Sequence, residues 1–266
     1  MKPNPTATNP PAHRCNYSIR GYVKSYTPIL ILGALLSPLP AYAEPADYVY
    51  TPAVEYGEKE IDFKAGTARK GVDPSESAGS LGFGYGAKEW WFTEVYLKYK
   101  REDNEGTKQD AVEWENKFQL TETGKYPVDV GFILEIERPS DHAEGWEVKW
   151  GPLFETDFGR IQLNANALFK RNYRAEGLSE TQFLYQWQVK YRWLPQFEYG
   201  LQGFGEMGKW NQWASADERT DRAGPAVFGK LPIGGGQALR YNAAWLLGAS
   251  QAAPDHTFRM QVEYEY

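Results

Sequence analysis

The last ten residues, Thr257 to Tyr266, constrain the fold more than any other stretch. Phe258, Met260, Val262, Tyr264 and Tyr266 fall on one parity, and Thr257, Arg259, Gln261, Glu263 and Glu265 on the other. Alternation sustained over this length is a β-strand with one apolar and one polar face. The pattern recurs upstream. Val112, Trp114, Phe118 and Leu120 oppose Glu113, Glu115, Lys117 and Gln119, with Asn116 breaking the apolar row. Phe183, Tyr185, Trp187, Val189, Tyr191 and Trp193 oppose Gln186, Gln188, Lys190 and Arg192, and Leu239, Tyr241, Ala243, Trp245 and Leu247 oppose Arg240, Asn242 and Ala244. Followed from Glu60, the alternation predicts about twelve strands, each near the 9–11 residues that cross a bilayer at a tilt. A count of ten to fourteen fits the same pattern. The first strand, Glu60–Gly66, sets Ile61, Phe63 and Ala65 against Glu60, Asp62 and Lys64 over a short stretch, and Pro225 removes a ladder donor from Gly224–Leu231.

The connections carry a second pattern. Those after odd-numbered strands are mostly longer and polar, including Arg69–Ser77, Arg101–Asp110, Arg138–Gly145, Arg171–Ser179 and Gly208–Arg222. Those after even-numbered strands are mostly short turns, such as Ala87–Glu89 and Leu194–Gln196. This asymmetry is expected of an up-and-down barrel whose two ends face different compartments. An even count places both termini at the short-turn end. No repeat with a period of 20–50 residues is apparent.

The N-terminus supplies the route to a membrane. Arg14, Arg20 and Lys24 precede the apolar run Pro28–Leu36, Ala41-Tyr42-Ala43 follows it, and Glu44 is the first acidic residue. This is the layout of a secretory signal peptide cleaved after Ala43. The run is too short to span a bilayer comfortably, and no other stretch approaches the ~18 apolar residues of a membrane helix. The expected organisation is a signal peptide over 1–43, a short proline-containing periplasmic lead over 44–59, and a barrel over 60–266. Cleavage removes four of the 29 basic residues and none of the 35 acidic ones, leaving a net charge of about −10. That balance argues against nucleic acid as a partner. The single cysteine, Cys15, lies in the removed part, so no disulfide framework is available.

The orientation of the faces follows from what each carries. Trp91, Tyr99, Trp146, Tyr191, Trp193, Tyr264 and Tyr266 sit at or near strand ends on the apolar faces, as interfacial girdles would. The polar faces carry many charges of both signs, which suits an aqueous lumen better than the outer face of a soluble sandwich. At the closing strand the sequence resembles bacterial outer-membrane barrels, which end on an alternating strand closing on Tyr or Phe. The resemblance implies an outer-membrane location, with lipid and lipopolysaccharide as surroundings. It also implies that Val262, Tyr264 and Tyr266 form the signal read by the barrel assembly machinery. The chain is further similar to uncharacterised proteobacterial outer-membrane proteins and to barrel proteins encoded near aromatic-degradation or metal-resistance genes, and neither resemblance assigns a substrate.

The chemistry-bearing residues narrow the function. Of the two histidines beyond the signal region, His142 and His256, both fall in loops or at a loop edge without a spaced metal partner, so no metal or other cofactor is expected. Ser250 shares a loop with His256 and Ser140 lies near His142, yet no nucleophile elbow surrounds either pair. Catalysis is therefore the least favoured reading, and no catalytic residue is assigned. Gly82, Gly84 and Gly86 alternate within a strand with no helix after them, so they are not a phosphate loop. Asp217, Glu218 and Asp221 read as a solvated loop. The lumen charges remain. Glu113, Glu115, Lys117, Glu135, Lys190, Arg192, Arg240 and Arg259 are expected to line a passage for small polar solutes, as in a narrow porin-like channel. The same charges could instead be knitted into ion pairs, giving a non-conducting structural or adhesive barrel.

Overall fold

The computed structural model describes residues 44–72, 75–102 and 106–266, with Glu102 described by its backbone alone. The signal peptide expected over 1–43 lies outside the described residues. Among those described, twelve long antiparallel strands follow in order: β1 (Lys59–Arg69), β2 (Glu76–Lys88), β3 (Trp91–Glu102), β4 (Lys108–Gln119), β5 (Asp129–Pro139), β6 (Trp146–Phe158), β7 (Ile161–Tyr173), β8 (Gln182–Leu194), β9 (Phe197–Lys209), β10 (Thr220–Gly234), β11 (Gln237–Gly248) and β12 (His256–Glu265). A single 3-10 turn covers His142–Glu144, and the short rung Gln212–Trp213 folds back onto β9.

Each strand pairs with its neighbours in sequence, and the last pairs with the first. Glu60 faces Glu265, Phe63 faces Val262 and Gly66 faces Arg259, so β12 closes the barrel against β1 as the alternation requires. Closure leaves no exposed sheet edge and pairs the backbone groups that lipid cannot satisfy. Four even-numbered strands are followed by two-residue turns, and the connection after β4, Leu120–Val128, is the longer exception. Several strands run further into the expected loops than the alternation indicated. β1 extends to Arg69, and the two ends of the expected loop Gly208–Arg222 are strand, because β9 runs to Lys209 and β10 begins at Thr220. Pro225 is accommodated where the β10–β11 pairing skips Gly224 and Pro225, while Pro225 still faces Leu201 of β9.

The exterior is apolar. Val95, Trp114, Leu201, Trp245 and Phe258 point outward and are exposed. Aromatic side chains form two bands. Toward the longer loops, Trp150, Phe169, Phe183 and Trp213 follow one another at centroid separations of 6.1, 5.6 and 6.0 Å. Toward the short turns lie Tyr191 with Tyr199 at 5.4 Å and Tyr264 with Tyr266 at 5.6 Å. Asn116, which interrupts the outer face of β4, is satisfied by the Trp91 indole N–H at 3.0 Å and the Thr93 hydroxyl at 3.1 Å. An apolar belt between two aromatic girdles on a closed barrel is the lipid-facing surface of a transmembrane β-barrel of the bacterial outer-membrane type.

Candidate functional site

Residues 44–58, all but the last residue of the periplasmic lead expected over 44–59, run up inside the barrel, and Lys59 already belongs to β1. This strap enters at the short-turn end. There the Gly57 N–H donates to the Gly86 carbonyl at 2.8 Å, and the Gly86 N–H donates to the Glu58 carbonyl at 2.9 Å. Higher up, the Val54 N–H donates to Gln119 Oε1 at 2.8 Å, and Asn166 Nδ2 donates to the Tyr50 carbonyl at 3.0 Å. Near the far end, Arg222 donates to the Glu44 carbonyl at 3.1 Å. The wall makes room by omission: a Cβ at Gly66 would strike the Pro45 carbonyl, and one at Gly86 would strike the Glu55 carbonyl. Lead and barrel are therefore one packed unit at these points. The lead has proline and no alternation, so it cannot join the ladder and takes its partners from side chains of the wall.

Two apolar patches on the inner wall receive the strap. Tyr50 packs with Ile133, Leu153, Leu168 and Leu184, and Val49 with Phe204, Ala226, Phe228, Ala244 and Leu246. These wall residues sit on the parity that otherwise carries charge. Leaving them exposed to water in an open tube would be unfavourable, and the strap covers them.

Ion pairs fill the space around these patches. The Lys98 ammonium reaches Glu44 at 2.7 Å, Glu113 at 3.2 Å and Glu137 at 2.5 Å, so it ties the strap to β4 and β5. Lys149 pairs with Glu135 at 2.7 Å and lies 3.5 Å from the Tyr50 hydroxyl. The Tyr48 hydroxyl donates to Glu115 at 2.5 Å. Lys64 lies 3.4 Å from Asp62, with its ammonium 3.5 Å from the Tyr48 ring and 3.6 Å from the Tyr96 ring. Opposite charges this close and this buried are stabilising only as a satisfied network. At the mouth, burial pushes the Glu58 carboxyl above the usual range and nearby Glu55 adds to the push.

The eight residues expected to line a passage divide into two groups of three and two residues placed singly. Glu113, Glu115 and Glu135 are buried in the network just described, and their oxygens lie within 4.8 Å of one another. Lys98, Lys149 and the Tyr48 hydroxyl already occupy that trio. Lys117, Lys190 and Arg240 line an open cavity below the strap. Arg192 sits near the short-turn rim with Asp157 at 3.0 Å. Arg259 is buried and bonds Gln202 at 2.7 Å and also Asn242, so it cross-braces the wall.

The strap residues were missed. A signal for them existed: Ile133, Leu168, Leu184, Phe204, Phe228 and Leu246 are apolar residues on lumen parity, and each asks for an apolar guest. Ser250 and His256 are engaged elsewhere. The Ser250 hydroxyl donates to the Arg219 carbonyl at 2.7 Å and accepts from the Asp221 N–H at 2.8 Å, and His256 meets Trp245 edge-on at 6.0 Å.

No protein-family model and no curated protein matches the chain. Solved structures do. An outer-membrane channel from Pseudomonas putida F1 superposes with a TM-score of 0.52 at 13% identity, over 84% of this chain and 98% of that one. The NanC porin superposes with a TM-score of 0.50 at 11% identity, over 77% of this chain and 98% of that one. At such identities the similarity is one of fold, and the fold is that of outer-membrane porins and channels.

Proposed function

We propose that the protein is a narrow porin-like channel of the outer membrane for small polar solutes, held shut by its own N-terminal strap. The observation that carries this reading is the separability of what fills the lumen. A purely structural barrel is filled by side chains of its wall, as in small eight-stranded barrels. Here a segment outside the ladder lies above a polar cavity of about 370 Å³ and contacts the wall mainly through side chains. Those contacts are exchangeable for water or solute. On this reading the lipid belt meets phospholipid and lipopolysaccharide, and Val262, Tyr264 and Tyr266 serve the assembly machinery.

The lack of cysteine beyond Cys15 makes a direct test available. A Cβ on Gly131 would lie 2.9 Å from Pro52 Cβ, so a Pro52→Cys/Gly131→Cys pair locks the strap to β5 after a small shift. Refolded into planar bilayers, the reduced double variant should show current steps, and oxidation should abolish them. Silence in both states, with the wild-type chain also silent, would leave the non-conducting structural barrel as the reading.

A further inference from the structure

The cavity below the strap has an unbalanced lining. Among the described residues it presents eight carboxylates and four basic side chains. Three of the basic groups are taken: Lys190 by Glu198 at 3.2 Å, Lys230 by Glu265 at 2.6 Å, and Arg240 by Glu55 at 3.4 Å and by Glu265. Glu115 is taken by Tyr48. Glu58, Glu60, Glu94 and Glu263 have no ion pair among the described residues, and Lys117 is the one basic group of the lining left to serve them.

Their placement makes a bay rather than a scatter. The inner face of β2 is bare. A Cβ at Gly82 would meet Glu94 Oε1 and the Tyr96 ring, and one at Gly84 would meet the Phe92 ring and, at 2.8 Å, Glu60 Cγ. Side chains of β1 and β3 thus lean over β2 from both sides. Asp62 faces Glu263 and Glu60 faces Glu265 across the β1–β12 pair, which makes Glu60 and Glu263 diagonal neighbours roughly 7–8 Å apart. Glu94 is 2% exposed. One of its oxygens accepts from the Tyr96 hydroxyl at 2.6 Å, and the other is buried without a hydrogen-bond partner.

Aromatic faces complete the lining, with Phe92, Tyr96, Phe228 and Tyr241 around the same space. The lumen shows what such faces do with an ammonium. Lys64 is held between the Tyr48 and Tyr96 rings, and Lys117 lies 5.1 Å from the centre of the Phe92 ring. Cations bind aromatic faces best where water is partly excluded. A compact metal ion fits less well. The carboxylate trio whose oxygens converge is Glu113, Glu115 and Glu135, within the lysine network, whereas Glu60, Glu94 and Glu263 are spread over three strands.

We infer that this bay binds a small linear organic polyamine, with separate ammonium groups meeting Glu60, Glu94 and Glu263 and its methylene links lying along the aromatic faces. The inference deepens the channel reading by naming a solute class, yet binding does not require conduction, so the two fail separately. The test is calorimetric titration of the refolded full-length mature barrel with spermidine, magnesium and glucose. Spermidine should bind saturably, and glucose should not. Glu60→Gln/Glu263→Gln should weaken spermidine by about tenfold or more, and Lys117→Met, which removes the competing ammonium, should tighten it. Heat-modifiable gel mobility confirms that each variant is folded. Absence of spermidine binding, equal binding to the folded double variant, or complete displacement by equimolar magnesium would overturn the inference. Binding with no conductance under any condition would overturn the channel reading alone.

Discussion

The two ends of the described chain, the closing strand in the wall and the strap in the lumen, are held by different physics. β12 is fixed by a continuous ladder, from Glu60 opposite Glu265 to Arg69 opposite His256 on one side, and from Ala238 to Leu247 against β11 on the other. The strap shares backbone hydrogen bonds with the wall only around Gly86, among the described residues, and is otherwise held by tyrosines, carboxylates and lysines. A ladder is collective, since loss of one bond leaves its neighbours in register. A set of buried side-chain pairs is not, because removal of one partner strands a charge. The same barrel thus holds one terminus by a collective ladder and the other by separate side-chain contacts.

The contrast can be attacked from the strap first. Lys98→Met would leave Glu44, Glu113 and Glu137 without their shared cation, at a cost of about 3–5 kcal/mol. In urea titrations the strap should become protease-sensitive well before the strands unfold. Coincident loss of both would mean that strap and wall form one cooperative unit. A smaller effect is expected from Tyr48→Phe, which leaves buried Glu115 short of a donor for about 1–3 kcal/mol. It should speed cleavage within residues 44–58 and leave strand content by circular dichroism unchanged. The smallest equilibrium effect belongs to the ladder. Deleting Tyr266 removes one hydrogen bond, its N–H to the Lys59 carbonyl at 2.9 Å, worth about 0.5–1.5 kcal/mol. In cells, outer-membrane levels of this truncation should nonetheless fall, through loss of the terminal aromatic. Normal levels would remove Tyr266 from the assembly signal.

The sheet was legible in the sequence because the side-chain period of a strand is two and a barrel has only two faces. Phe258 to Tyr266 and Phe183 to Trp193 therefore declare themselves, and the turn lengths orient them. The strap was not legible, because its partners obey no period. Tyr48 finds Glu115 and Tyr50 finds Asn166 through closure of the whole barrel rather than through local pattern. For the same reason, the eight charges expected to line a passage share one parity but not one fate. Depth along the strand and the position of the strap decide whether a residue is paired, as Glu135 is, or faces the open cavity, as Lys117 does.

The reach of the strap bears on how the protein is made. Its partners lie 65 residues away at Gln119, 116 at Asn166 and 178 at Arg222. Contacts so distant in sequence form late, after the intervening loops have closed. A strand mispaired by one position would turn its inner residues outward, and the strap would then find an apolar surface where it needs Gln119, Glu115 or Asn166. The contacts described for the strap therefore presuppose a barrel whose strands are already in their proper register.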